Sequence, residues 1–304
     1  MQNYSLVLHG GAGKDSEFIR THRAGIESGL RKAMDVGIKV LRDGGTALTA
    51  VEMAIRELED NALFNSGRGS ALNNKGEIQM DASIMCGRRR SSGAVSMVKN
   101  VRNPISLARY IMENTSHVFL SSEGALEFAK HEKVELEPES YFVTDHQVEA
   151  FIKARDHEKL QDVLRKRIHG TVGGAARDSN GNLAAGTSTG GTENSLSGRI
   201  GDSSVIGAGC YAQNGVCAIS GTGDGEILIN RTIASSVATA VDYLQMDIQK
   251  ACDWVIRERN ADIKGDIGVI AVGNEGAIGM SFNCERMHRA WLDESGEVRI
   301  AIYN

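Results

Sequence analysis

The residues whose types and spacing could do chemistry lie in short glycine-bounded stretches. The first is "IHGTVGG" at 168–174, where Thr171 stands alone among glycines. Glycine removes side-chain bulk and reaches backbone conformations that other residues avoid. That suits a plain turn, and it equally suits a hydroxyl that a substrate must approach closely. A threonine hydroxyl is a weak nucleophile until a base takes its proton. One solution uses the residue's own α-amino group, which exists only when the threonine begins a chain. An α-amino group titrates near about 7.7–8.0, close to working pH, as a general base should. Thr171 is internal, so this chemistry requires the Gly170–Thr171 bond to be cut first. Gly170 permits the strained backbone that an attack by Thr171 on its carbonyl would need. Taken alone, the motif reads as a turn.

Three further stretches could complete a site. "GTSTGG" at 186–191 puts Thr187 and Thr189 on one face of a strand, where a second hydroxyl could share the proton of Thr171. An ordinary threonine-rich strand explains it as well. "GRIGDS" at 198–203 offers Arg199, a planar fork for a carboxylate, and Asp202, an acceptor for an ammonium. Together they match the two ends of an amino-acid zwitterion, or they form a loop salt bridge with each other. "GTGDGE" at 221–226 could hold an anion on its backbone N–H groups, and with the Thr222 hydroxyl it could form an oxyanion hole. It lacks the lysine of a P-loop and the helix context of a dinucleotide fold. "HGGAG" at 9–13 is ambiguous, and His9 reads as structural, since no partner stands at ligand spacing.

These loops need a frame. A strand is expected at 5–8, a helix over 17–42, and a second helix capped by Thr46 with Leu48, Val51, Ile55 and Leu58 on its apolar face. A hairpin turning at 74–76 and the strand "GAVSMVK" follow. Asn103-Pro104 opens a third helix with an Asn cap, and a strand at 117–120 precedes a helix capped by Ser121 or Ser122. The charged stretch 145–167 reads as a solvated helix or connector. From Thr171 on, an Asn-Gly turn joins two strands, strands continue over 203–220, and helices follow near 228–243 and 247–260. The end is β again, with a turn at 274–276 and strands near 287–292 and 297–302. Elements are grouped rather than alternating. That favours an α+β fold of mostly antiparallel sheets with helices outside them, and disfavours a doubly wound parallel sheet.

The 304-residue chain can bury a full core, and its net charge of −5 disfavours nucleic-acid or anionic-membrane partners. Its 35 glycines against 2 prolines imply many tight turns and close backbone approaches. The scattered cysteines form no CxxC pair, so they read as reduced thiols. The N-terminus has neither a basic start nor a long apolar run, so a cytoplasmic location is expected.

Taken in order, these pieces resemble the plant-type L-asparaginases, also called isoaspartyl or β-aspartyl peptidases, which are N-terminal-nucleophile hydrolases. The resemblance runs nearly end to end, through "LHGGAG", "NALFNSGRGSALNNKGEIQMDASIM", "GAVSMVKNVRNPISLAR", "HGTVGGAARDSNGNLAAGTSTGG", "SGRIGDSSVIGAGCYA" and "GTGDGE". It implies a single domain over 1–304 with a four-layer αββα sandwich. It implies self-cleavage at Gly170–Thr171 into an α subunit, 1–170, and a β subunit, 171–304, assembled as (αβ)₂. The implied substrates are L-asparagine and β-aspartyl dipeptides. Residue by residue, Thr171 matches the nucleophile and Thr189 the threonine bonded to it. Thr222 and Gly223 match the groups facing the carbonyl oxygen. Arg199, Asp202, Gly225 and Asn65 match the substrate-binding set. No cofactor is required for the chemistry. A sodium ion is implied on backbone carbonyls at Leu58, Glu59, Asn61, Phe64, Ser66 and Arg68.

Two features depart from the family pattern. Asp224 adds a carboxylate at the expected mouth, which bears on substrate preference. Arg88, Arg89 and Arg90 add charge after a strand, read as a solvated edge that blocks strand pairing. Glycosylasparaginase shares "HGT" and "GTST" but is lysosomal or secreted. A taspase-like protease would cut after Asp in proteins. A non-enzymatic glycine-loop nucleotide-binding protein is the reading from another class.

Overall fold

The structure, a computed structural model, describes residues 3–156 and 170–303. Two sheets lie face to face. The larger has strand order β12-β11-β1-β5-β6-β2-β3-β4 and the smaller β10-β9-β8-β7. The strands are β1 (Ser5–Gly13), β2 (Met80–Cys86), β3 (Ser91–Val98), β4 (Phe119–Ser121), β5 (Val172–Arg177) and β6 (Leu183–Thr189), then β7 (Cys210–Gln213), β8 (Cys217–Gly223), β9 (Ile267–Gly273), β10 (Ile278–Phe282), β11 (Arg286–Leu292) and β12 (Val298–Ala301). Every paired neighbour is antiparallel except β3 with β4.

The layering follows from residue alternation. In β1, Leu6 and Leu8 face the helices while Val7 faces the second sheet. Strand β6 divides the same way, with Ala184 on the helix side and Leu183 and Ala185 between the sheets. Helices α1 (Glu17–Thr21), α2 (Arg23–Arg42), α3 (Ala47–Glu59), α4 (Pro104–Asn114), α5 (Ser122–His131), α6 (Glu139–Phe142) and α7 (Asp145–Asp156) belong to the N-terminal half. Of these, α2, α3 and α4 cover the large sheet. Helices α8 (Gly225–Asn230), α9 (Ile233–Asp242) and α10 (Ile248–Asp253) follow β8, and the last two cover the small one. The result is the expected αββα sandwich. No helix of the described residues is long and apolar enough to cross a membrane.

Several local expectations change. β1 does not stop at Leu8: it runs through the glycines to Gly13, with a bulge between His9 and Ala12. Gly11, at φ +112, makes that irregularity possible. The helix over 17–42 breaks at His22, which leaves helical geometry (φ −100, ψ 13), and Phe18 of α1 stacks on His146 of α7. The region expected as strand from 203 opens instead with a 3-10 turn at Asp202–Ser204. The helix near 228–243 breaks at Thr232, which adopts φ +47. The helix near 247–260 passes into a π turn at Trp254–Arg259. Arg88, Arg89 and Arg90 form the exposed turn between β2 and β3 and not a sheet edge. Of the charged stretch 145–167, the part through Asp156 is helix α7, and 157–167 lies outside the described residues.

Asn103 does not cap α4 with its side chain. Glu59, at the end of α3, does so instead: its Oε1 accepts from the Ile105 N–H (3.0 Å) and from Ser188 Oγ (2.6 Å). Ser188 in turn accepts from Ser66 Oγ at 2.8 Å. One carboxyl therefore ties α3, α4, β6 and the loop after α3. It is fully buried, and burial pushes its pKa up to about 8. The folded chain then holds a proton that the unfolded chain has released above about pH 4.5. Stability from this site is full at low pH and falls as pH rises toward 8, by up to about 5 kcal/mol. Urea unfolding of an uncleavable Thr171→Ala chain is expected to shift to lower midpoint between pH 5 and 8, and Glu59→Gln to flatten the upper part of that slope. An unchanged slope would show that Glu59 is ionised in the folded state.

Candidate active site

Thr171 precedes β5, and Thr189 ends the neighbouring β6, where Val172 pairs with Ser188. Antiparallel pairing thus sets the two threonines across from each other at one end of the sheet. Thr171 Oγ1 donates to Thr189 Oγ1 at 3.3 Å. Thr189 Oγ1 also accepts from the Gly191 N–H (3.1 Å) and donates to the Gly170 carbonyl (3.0 Å). A hydroxyl has one proton and two lone pairs, so Thr189 is saturated and the Thr171 proton is directed at it. Asn65 Nδ2 donates to the same Gly170 carbonyl at 2.8 Å and to that of Gly191 at 2.7 Å. Its Oδ1 accepts from the Ala71 N–H, which fixes the amide orientation. The carbonyl just before Thr171 therefore receives two donors, an arrangement that stabilises negative charge on oxygen.

His9 secures the other side. Its Nδ1 donates to the Thr171 carbonyl (2.9 Å), and a carbonyl only accepts, so Nε2 carries the lone pair and takes the Ser220 hydroxyl proton (2.8 Å). Burial holds its pKa down at about 3. His9 is a neutral structural residue, as its isolation in the sequence suggested. Gly11 lies against the bond, and a Cβ there would sit 3.1 Å from Gly170 Cα and 3.4 Å from the Thr171 nitrogen.

Thr171, Thr189, Arg199, Asp202 and Gly223 line one cleft together with Gly170. No ion pair joins Arg199 to Asp202 among the described residues, which removes the loop salt bridge. Arg199 instead makes a bidentate pair with Glu226, Nε to Oε1 at 3.1 Å and Nη2 to Oε2 at 3.0 Å. Asp202 is 3 % exposed, and its Oδ2 has no hydrogen-bond partner. Burial pushes its pKa up to about 7 against the pull of the Arg199 charge. Asp81 anchors this loop by accepting from the Gly201 N–H (3.0 Å) and the Met97 N–H (2.9 Å). Gly225 leaves room for both clamp residues: a Cβ there would lie 2.7 Å from Arg199 Nη2 and 3.0 Å from Asp202 Oδ1. A guanidinium and a buried carboxyl lining one cleft with the Thr171 hydroxyl offer partners for an amino acid's carboxylate and ammonium.

Thr222 lies fully buried in β8, one residue before the cleft. Its Oγ1 accepts from the Ala12 N–H at 3.2 Å, which leaves its proton for another acceptor. Asp224 stands at the start of α8, and one of its oxygens accepts from the Asp266 N–H at 3.3 Å. The loop after α3 folds back on itself. Gly67 and Gly69 take φ +55 and +108, where a Cβ would lie 2.4 Å from the Glu59 carbonyl and 2.7 Å from those of Ala62 and Phe64. The Glu59, Asn61 and Phe64 carbonyls each accept one backbone N–H, which leaves a second lone pair on each, while the Leu58 carbonyl faces the N–H groups of Asp60 and Asn61. Carbonyl oxygen is the donor type that a hard cation takes.

Sequence reasoning missed Glu226, Asp81 and the His9 contact to Thr171. Glu226 stood in "GTGDGE" with no role assigned. Asp81 carried a signal of its own, the one charged residue in strand β2.

The chain matches the family model described as asparaginase over residues 2–302. It is 39% identical to the probable isoaspartyl peptidase/L-asparaginase 2 of Arabidopsis thaliana, covering 100% of both chains. It is 40% identical to the isoaspartyl peptidase/L-asparaginase of Xenopus laevis (98% of this chain, 95% of that one). It is 38% identical to the isoaspartyl peptidase of Escherichia coli (94% and 92%). Sequence and architecture agree: the chain belongs to the asparaginase family whose members include these isoaspartyl peptidases.

Proposed function

We propose that this chain is a threonine amidohydrolase that cuts itself between Gly170 and Thr171 and then releases aspartate from L-asparagine and β-aspartyl dipeptides. The observation that supports this most is the Gly170 carbonyl, held by Asn65 and Thr189 beside a hydroxyl whose proton already points at Thr189. Attack by Thr171 Oγ1 on the Gly170 carbon places the oxyanion between those two donors. The C–N bond breaks as the nitrogen takes a proton, leaving an ester on Thr171. Water hydrolyses the ester, giving a Gly170 carboxylate on the α subunit, 1–170, and a free amine on the β subunit, 171–304. In the uncut chain the cleft encloses about 10 Å³, roughly one water. Departure of Gly170 is what makes room for an aspartyl group.

In the cut enzyme, Arg199 and Asp202 hold the substrate's α-carboxylate and α-ammonium. The Thr171 amine takes the hydroxyl proton, and Oγ1 attacks the side-chain carbonyl. Thr222 and Gly223 face the oxyanion. Ammonia or an amino acid leaves, carrying the proton from the amine, and water then frees aspartate from the ester. A sodium ion on the carbonyls of Leu58, Glu59, Asn61, Phe64, Ser66 and Arg68 would supply rigidity to the loop that aims Asn65. Assembly as (αβ)₂ rests on the family resemblance.

Ammonia release from L-asparagine and leucine release from β-Asp-Leu test the reading, with Thr171→Ala expected to abolish both. A Thr171→Ala chain that turns over would contradict it. Asn65→Ala is expected to slow self-cleavage by about 100-fold on a denaturing-gel time course; normal cleavage would remove Asn65 from that step. An ammonium needs Asp202 ionised, so kcat/KM is expected to rise as pH passes about 7. Asp202→Asn should lower kcat/KM about 10–100-fold and erase that limb, leaving the limb of the Thr171 amine.

A further inference from the structure

A second cavity, of about 260 Å³, shares Gly170 with the cleft that holds the clamp residues. Gly10, Lys14, Asn65, Gly170, Arg286 and His288 are among the residues that line it. Arg286 is 4 % exposed, yet no carboxylate lies within ion-pair distance of it among the described residues. Its Nε donates to the Lys14 carbonyl (2.8 Å), and its Nη1 stands 3.3 Å from His288 Nε2. His288 Nδ1 lies 3.2 Å from the Gly10 carbonyl and must donate there, so Nε2 is the acceptor that receives the Arg286 N–H. A neutral imidazole thus aims the guanidinium, and Nη2 stays uncommitted. An arginine cannot shed its proton, and burying its charge without a counter-ion is costly.

The acids on the same cavity do not discharge it. Asp15 is engaged by Arg20 (2.7 Å) and by the Tyr303 hydroxyl (3.0 Å). Glu193 is largely buried, which pushes its pKa up to about 7. Lys14, exposed at the rim, adds further positive charge.

We infer that this cavity is the leaving-group subsite and that Arg286 binds the carboxylate of the amino acid released from a β-aspartyl dipeptide. The inference rests on the proposed hydrolysis. The clamp holds the aspartyl half on one side of Gly170. The leaving nitrogen must lie near the Thr171 amine that protonates it, against Gly11, and once Gly170 has gone the space beyond opens toward Arg286. L-Asparagine has no carboxylate on its leaving group. Arg286 therefore distinguishes the two substrate classes by raising affinity for the dipeptide alone.

The test compares wild type, Arg286→Met and Arg286→Lys on β-Asp-Leu, on β-Asp-Leu amide and on L-asparagine, with cleavage checked on a gel. Arg286→Met is expected to raise KM for β-Asp-Leu about tenfold or more. The amide and L-asparagine should change less than about threefold, and Arg286→Lys should recover part of the loss. An equal loss on all three substrates would overturn the inference. It would make Arg286 structural, or the partner of the freed Gly170 carboxylate, which every substrate would feel. No change on any substrate would also overturn it. A cleaved wild type inactive on all three would defeat the proposed activity itself, a result distinct from either.

Discussion

The site depends on one hydroxyl with no spare capacity. Thr189 Oγ1 accepts from Thr171 and from the Gly191 N–H, and donates to the Gly170 carbonyl. That saturation sets the direction of the Thr171 proton and leaves its lone pairs free. Much of the surrounding structure can be read as holding this arrangement. Antiparallel pairing of β5 and β6 brings the threonines together. His9 fixes the carbonyl of Thr171, and the bulge at Gly11 lets β1 pass within contact of the bond. Glu59 holds Ser188, next to Thr189, against α3 and α4.

The charged groups obey a second constraint, which is burial. Asp202, Asp81 and Glu59 are acids taken almost wholly out of water, and each is pushed toward its neutral form. Two of them recover hydrogen bonds from backbone or hydroxyl donors. Glu59 Oε2 and Asp202 Oδ2 still have no partner. A buried acceptor left unsatisfied is expensive for the fold, and at Asp202, which lines the cleft, a substrate ammonium would relieve it. The same logic applies with opposite sign to Arg286.

The order of grouped elements pointed to antiparallel sheets with helices outside them, and the family resemblance carried by the glycine-bounded motifs implied the sandwich and most of the cleft. Thr171, Thr189, Arg199, Asp202 and Gly223 do converge. Contacts made by long side chains from distant segments escaped. Arg199 pairs with Glu226, 27 positions on, and not with Asp202 three away, because the reach of a guanidinium is not encoded in local spacing. Asn103 looked like the cap of α4, but Glu59 arrives from another helix and takes that place. "HGGAG" reads as a loop by composition, while pairing with β11 keeps it in the sheet. In each case tertiary contact overrode a sound local preference.

The central claim is that Thr171 becomes a chain end. Intact-mass measurement of the purified protein under denaturing, reducing conditions, with sequencing of any new N-terminus, tests it most directly. The account predicts two species corresponding to 1–170 and 171–304, the second beginning Thr-Val-Gly-Gly. A single full-length mass from protein that turns over L-asparagine, or a cut at any other bond, would contradict it.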